Sequence, residues 1–566
     1  MKKWISQSTT VRRASVKIGA FALGFVWAMS SAIAQVSWVG DATLDDAWET
    51  GANWSSGVAP TNTDDVVINA GSSVLNPVVI STAGQSAKTL KLGSAADGFG
   101  ALLMAGGDFS APGAFLIGDA GEGHLTVTNG LLATSGSISL GHASSGTGAL
   151  FMEGGKMGCA NKFYIGNSGT GTVVLAGGTL YTSGNFYDPI LGNSAGSQGF
   201  LVVSNGTFSS GYAFYVGASG SGHLVQVGGD ISMTRQFYVG SGSSGSGKVD
   251  FGGGTFKVAR ECHVGFSGHG ELNVFEGADV TLGRCLRAGV NAGAVGVVRT
   301  DAVTIKGTEH YPYVVGDAGH GEMHPKGTTF GTNRAGLQVR LSESAHGLVN
   351  GWGKWHSIVA ANYKVGVNIN NGLIVANGFG EDRDLDFSAY VASVDASSTT
   401  NSIENTSTNG WYAVNGGRLV LGGIDLGAGS DVGASWGEAI GDTEIDLVNS
   451  ARFEFGNIAT AGRLVGKLLA ADRTDVPSLP PTGTCVGVWD FSFTGAFDTV
   501  DVQLRYDDVA SAGKLVVMKR WNDTAGFWES LPTTELPQAR IQASGLAELG
   551  LFAAFAGDHP TLIIVR

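Results

Sequence analysis

The sequence predicts an all-β protein: a parallel β-solenoid (β-helix) of about 25-residue coils followed by a β-sandwich. Three observations carry this. Residues 163–180, FYIGNSGTGTVVLAGGTL, return 51 residues later in altered form as FYVGASGSGHLVQVGGDI at 214–231. A motif of apolar, any, aliphatic, Gly places anchor glycines at Gly118, Gly141, Gly166, Gly192, Gly217, Gly240, Gly265, Gly289 and Gly316. Their spacings are 23, 25, 26, 25, 23, 25, 24 and 27 residues. Finally, the motif alternates. Ile117, Leu140, Ile165, Leu191, Val216, Val239, Val264, Ala288 and Val315 precede the glycines, and a mostly large apolar residue stands two positions earlier. Alternation with period 2 means one face of a strand is buried and the other points out.

Taken in chain order, residues 1–34 read as a signal peptide. Lys2, Lys3, Arg12, Arg13 and Lys17 form a basic lead, Ile18 to Ile33 is mostly apolar, and Ala32-Ile33-Ala34 fits a cleavage site before Gln35. A Sec signal is expected; Arg12-Arg13 also admits a twin-arginine reading. The mature chain is then exported. Residues 35–110, with Trp38, Trp48 and Trp54, are expected to cap the solenoid, because an open end exposes core and unpaired strand edge. Glycan stacking is the other use for those rings.

Residues 111–320 are the regular coils. Each is expected to hold two short strands and two glycine-rich turns, stacked at about 4.8 Å per coil. Glycine at the corners supplies positive φ and lets backbones approach closely. One copy looks out of register, because Gln226 falls where an apolar inward residue is expected. Residues 321–435 keep strand-like runs such as GLQVRL and GLIVAN without a regular period, and are read as irregular solenoid or β-rich transition. Residues 436–566 are read as the β-sandwich: Val502, Leu504 and Tyr506 share a face, and Asn522 to Gly526 turn a hairpin between Trp521 and Trp528.

Composition excludes several functions. Of 566 residues 90 are Gly but only 12 are Pro, with no Gly-X-Y period, so collagen is ruled out. A hydrophobic content of 43% supplies a core. A net charge of −14 with no basic block offers nothing to nucleic acid. Beyond the leader no run reaches the ~18 apolar residues of a membrane span. Four scattered cysteines without a CxxC pair argue against a disulfide framework or structural zinc.

The units FYIGNSGTG-VVLAGG and FYVGASGSG-LVQVGG resemble the short repeat of type V secretion (autotransporter) passengers and PEP-CTERM exported proteins. The opening SWVGDATLDDAWETGANWSSGVAPTNTDDVVI at 37–68 is similar to the segment that begins many of them. The resemblance covers roughly half the chain. It implies an extracellular β-solenoid at the bacterial cell surface and no catalytic residues. The last residues, HPTLIIVR, match neither a translocator barrel nor a Pro-Glu-Pro tail, so no mode of attachment is implied. The C-terminal strands resemble the β-sandwich that ends many exported bacterial proteins.

The outward positions of the repeat supply the candidate site. Tyr164, Tyr215, Tyr238, His263 and Arg287 form a stripe along one side, suited to stacking on sugars or gripping a partner, or else to holding coils together. No catalytic residues are assigned: a β-helical glycosidase needs carboxylates on adjacent coils, and these coils carry few. His124 and His223 lie four coils apart and His269 and His320 two, too far to share a metal. Glu381, Asp382, Asp384 and Asp386 read as a solvated loop rather than a calcium site. Cys262 and Cys285 lie on adjacent coils, one residue out of phase, and are a candidate disulfide. No metal and no cofactor are expected. The expected function is a non-enzymatic structural or adhesive surface protein, its partner an extracellular glycan or cell-surface component. The alternative is a carbohydrate-active β-helix: a polysaccharide lyase, glycosidase or glycan-binding module.

Overall fold

The computed structural model describes residues 35–557 except for gaps, the longer being 41–44, 308–312, 331–336, 340–344, 356–366, 378–382, 387–410, 437–448 and 507–510. The leader, and Glu381 and Asp382 of the acidic run, lie outside the described residues. Arg383–Asp386 is a strand rather than the expected loop.

Each regular coil holds three strands, one more than expected. Phe163–Ile165, Thr170–Leu175 and Thr179–Thr182 make up one coil. First strands of successive coils build a 14-stranded sheet that starts at Val36–Ser37 and reaches Val367–Ile369. Second and third strands pair with their own counterparts, always in parallel, as in Thr170↔Gln198 and Thr179↔Thr207. Identical residues recur because each lies on its equivalent one coil away.

The anchor glycines explain the corner. All nine have positive φ, from 61° to 76°. Inward side chains from all three strands fill the interior: Phe163 and Ile165, Val173 and Leu175, and Leu180 of this coil are fully buried. Gln226 does not break register. It pairs with Val203 and Phe251, is fully buried, and its Nε2 donates to the carbonyls of Gly229 (3.1 Å) and Thr255 (3.0 Å). The turn takes up the polar amide, so the strand continues.

Parallel pairing already joins Asp65–Ile68 to Thr89–Leu92, so the ladder enters the segment read as a cap. Ahead of it Trp38, Trp48 and Trp54 are all buried in edge-to-face contacts of 5.0 and 4.7 Å, and Trp48 packs on Phe109 at 5.1 Å. These rings cover the core and leave no open face for a sugar. Towards the other end, Gly417–Val420 pairs antiparallel with Gly462–Leu469. That strand belongs to one sheet of the expected sandwich, with Thr484–Phe493, Leu551–Ala556, Val516–Asn522 and Phe527–Ser530. The second sheet runs Gly429–Trp436, Ala451–Thr460, Val500–Arg505, Arg540–Leu546, Thr534–Leu536. Trp436, Phe453 and Phe491 meet in the sandwich core. Val502, Leu504 and Tyr506 are all buried, and Trp521 pairs with Trp528 across the hairpin. Among the described residues no helix is long and apolar enough to cross a membrane.

Candidate functional site

The outward stripe is placed where the register predicts, with one interruption. Tyr164 lies beside Ile190, which lies beside Tyr215; from there Tyr238, His263 and Arg287 follow coil by coil. Tyr215 and Tyr238 stack at 4.7 Å and 5°, and Tyr238 and His263 at 5.0 Å and 15°. The ring faces are therefore turned on each other along the coil axis. Edges and hydroxyls are what the ladder presents to a partner, while each stacked pair ties two coils together. Arg287 at the end is ion-paired with Asp317.

Burial changes the chemistry of this row. It pushes the Tyr215 hydroxyl well above the ordinary phenol range. Burial lifts Asp188, which accepts a hydrogen bond from the Ala213 amide at 3.1 Å, to about 6. It lowers His263 to about 4, and the Arg287 charge pushes the same way. His263 is 6% exposed and stays neutral at physiological pH. Between pH 6.5 and 4 the unfolded chain binds a proton there that the folded chain refuses. Stability is thus lost as pH falls through that window, by on the order of 3 kcal/mol. Asp188, raised when folded, works in the opposite direction between about 6 and 3.8. Comparison with His263→Phe, which keeps a stacked ring, isolates the histidine: urea midpoints at pH 7 and pH 4.5 should fall further in the parent than in the variant. Equal falls would mean His263 titrates normally.

Cys262 and Cys285 are not joined; both are free, buried thiols. The register explains it. Cys262 sits opposite Leu286, while Cys285 is the residue before, and its carbonyl accepts the Cys262 amide at 2.8 Å. Burial raises both thiols, Cys285 to about 12, so neither is a ready nucleophile.

Three further features lie on the second and third strands. The first is a groove of about 370 Å³ whose lining includes Asp250, Glu271, Asn273, Arg299 and His324. Asn273 Nδ2 donates to Asp250 Oδ1 at 2.7 Å and to Glu271 Oε1 at 3.0 Å, so two carboxylates do converge. Proton-transfer chemistry needs one of them protonated. Burial pulls Asp250 up, but hydrogen bonds from Asn273 and His223 outweigh it and hold the carboxyl below the usual range. Glu271 is ion-paired with Arg299 at 2.9 Å. Both carboxylates are thus engaged by neighbouring side chains within the coils.

No family model, curated protein or solved structure matches the chain.

The second feature is a histidine–carboxylate group. His124 and His223 are four coils apart and His269 and His320 two, as the spacing requires. His346, however, is the direct neighbour of His320 on the next coil, the rings stacked at 4.3 Å and 11°. Glu322 lies two residues along the same strand, its Oε1 2.7 Å from His320 Nε2 and its Oε2 2.8 Å from His324 Nε2. One ligand atom each of His320, Glu322 and His346 falls within 4.8 Å of the others. Burial raises Glu322, yet the two imidazoles outweigh it and keep it in the anionic range. The sequence signal is the echo of Gly319-His320-Gly321 in Ala345-His346-Gly347, one step beyond the last regular anchor.

The third feature is a concavity of about 440 Å³ beside Tyr181, lined also by Asn62, Pro112, Thr134, Ser135 and Gly158. Tyr181 leans across Gly158: a Cβ there would stand 2.4 Å from the tyrosine Cζ. Two coils present only Ala133 and Gly158 in register with Tyr181, which leaves the ring beside an open hollow.

Proposed function

We propose that the chain is an exported, non-enzymatic structural or adhesive protein of the bacterial surface, with an extracellular glycan or cell-surface component as partner. One observation carries this reading: several charged side chains of the coils are engaged from coil to coil. Lys91 pairs with Asp119, Glu261 with Arg284, Asp279 with Lys306 and Glu271 with Arg299, at 2.8, 2.7, 2.6 and 2.9 Å. Such pairs bind one coil to the next rather than converge on a substrate. The leader-like first 34 residues and the repeat's resemblance to exported solenoids support the compartment. The carbohydrate-active enzyme is not favoured, since Asp250 is held below the usual carboxylate range and Glu271 is ion-paired with Arg299.

The hollow beside Tyr181 is the best-formed contact for a sugar ring, because small neighbours leave the aromatic side reachable where the stacked ladder does not. On a glycan array the purified protein is expected to bind. Tyr181→Ala, or Gly158→Ala, which pushes the ring aside, should abolish the signal. Tyr215→Ala and Tyr238→Ala should lower the melting temperature and leave binding intact. If the ladder variants lose binding while the Tyr181 and Gly158 variants keep it, the contact belongs to the stripe instead.

A further inference from the structure

We propose that His320, Glu322 and His346 form a binding site for a divalent transition-metal ion of the zinc class, with His324 positioning the carboxylate from its far side. The site joins two adjacent coils: His320 and His346 open equivalent strands, and Glu322 shares the outward face of the first.

The donor set selects the ion. Two imidazoles and one carboxylate suit zinc, and by the same softness copper(II) or nickel(II); calcium and magnesium take oxygen shells. Zinc bonds to these atoms are about 2.0–2.2 Å long, so tetrahedral neighbours stand about 3.4 Å apart. The three ligand atoms lie within 4.8 Å of one another, in the range of that spacing. His320 Nε2 and Glu322 Oε1 already lie 2.7 Å apart, on one outward face of the strand. His324 holds Oε2, the kind of outer contact that fixes a ligating carboxylate.

The backbone beneath is rigid for coil reasons. The His320 amide donates to Ala294 O at 2.8 Å and the His346 amide to Gly319 O at 3.0 Å. At Gly316 a Cβ would meet the His346 carbonyl oxygen at 2.1 Å, so these coils sit too close for any side chain between them. His346 is exposed and the other two are half-buried, which leaves an approach from solvent. Elsewhere the His124–Glu122 pair repeats the 2.7 Å contact without a second imidazole at hand, and provides an internal control.

The test is calorimetric titration of the tag-free protein with zinc chloride, and separately with calcium chloride. One zinc per chain and no calcium are expected. His320→Ala, His346→Gln and Glu322→Gln should each weaken zinc at least ~100-fold, and His324→Ala about 10-fold. His124→Ala should change nothing. Zinc-edge absorption should report two imidazoles in the parent and fewer in His346→Gln. Far-UV circular dichroism matching the parent keeps a folding defect from mimicking the loss. No zinc binding by the parent, or unchanged affinity in a folded His320→Ala/His346→Gln double variant, overturns the site.

Discussion

Gly217→Ala is expected to unfold the solenoid around its coil, at a cost of about 3–5 kcal/mol. Two effects add. The residue sits at φ 72°, where an L side chain costs roughly 1–2 kcal/mol. The new Cβ would also lie 2.2 Å from the Ser246 carbonyl oxygen and 2.6 Å from the Gly247 amide nitrogen. Those are backbone atoms of the next coil, so no rotamer change relieves the clash. Gly196 separates the two terms. It has φ 83° but nothing within 4 Å of an added Cβ, so Gly196→Ala should show the conformational term alone. Urea unfolding of both variants gives the comparison, and hydrogen exchange shows whether protection fails first in the coils next to Gly217. Equal losses at the two positions would mean that close coil contact is not what the anchor glycine provides.

Phe237→Ala is the second large effect, about 3–5 kcal/mol. The ring is fully buried between Phe214 of the coil before, at 5.5 Å, and Phe256 at 5.0 Å, which in turn packs on Phe251 at 4.2 Å. Its contacts lie along the stack as well as within the coil, so the cavity loosens two interfaces at once. Phe237→Leu should keep most of the volume and lose far less. Because Phe214 and Phe237 share a cavity wall, the double alanine variant should fall short of the sum. A loss below about 1 kcal/mol would contradict the packing described.

The parts of this fold that were legible are those the stacking repeats. The anchor glycine column and the aliphatic residue before it recur in every coil from Gly118 to Gly316, where the corner meets the next coil too closely for a side chain. The third strand was missed for a physical reason. Some of its inward positions are Thr134, Thr182 and Ser210, whose hydroxyls find partners within the stack: Thr134 donates to Ala111 O at 2.5 Å and Ser210 to Ala213 O at 3.0 Å. Self-satisfied polar groups erase the apolar alternation while keeping the strand. Gln226 misled in the same way. For the sites, the tyrosine stripe was legible because it lies within the motif. Tyr181 was not, since its setting depends on Gly158 and Ala133, which lie in preceding coils. His346 lies beyond Gly316, the last regular anchor, where the period no longer marks its position.

The antiparallel junction between Gly417–Val420 and Gly462–Leu469 has a consequence for assembly. A stack of like rungs carries no inherent stop: its final rung offers the same donors and acceptors as every other, and a second molecule could add there. Reversing strand direction at that rung engages those groups with a partner of opposite polarity. Addition of a second molecule to this column of strands is thereby blocked, so its many interchangeable rungs do not seed a fibre there.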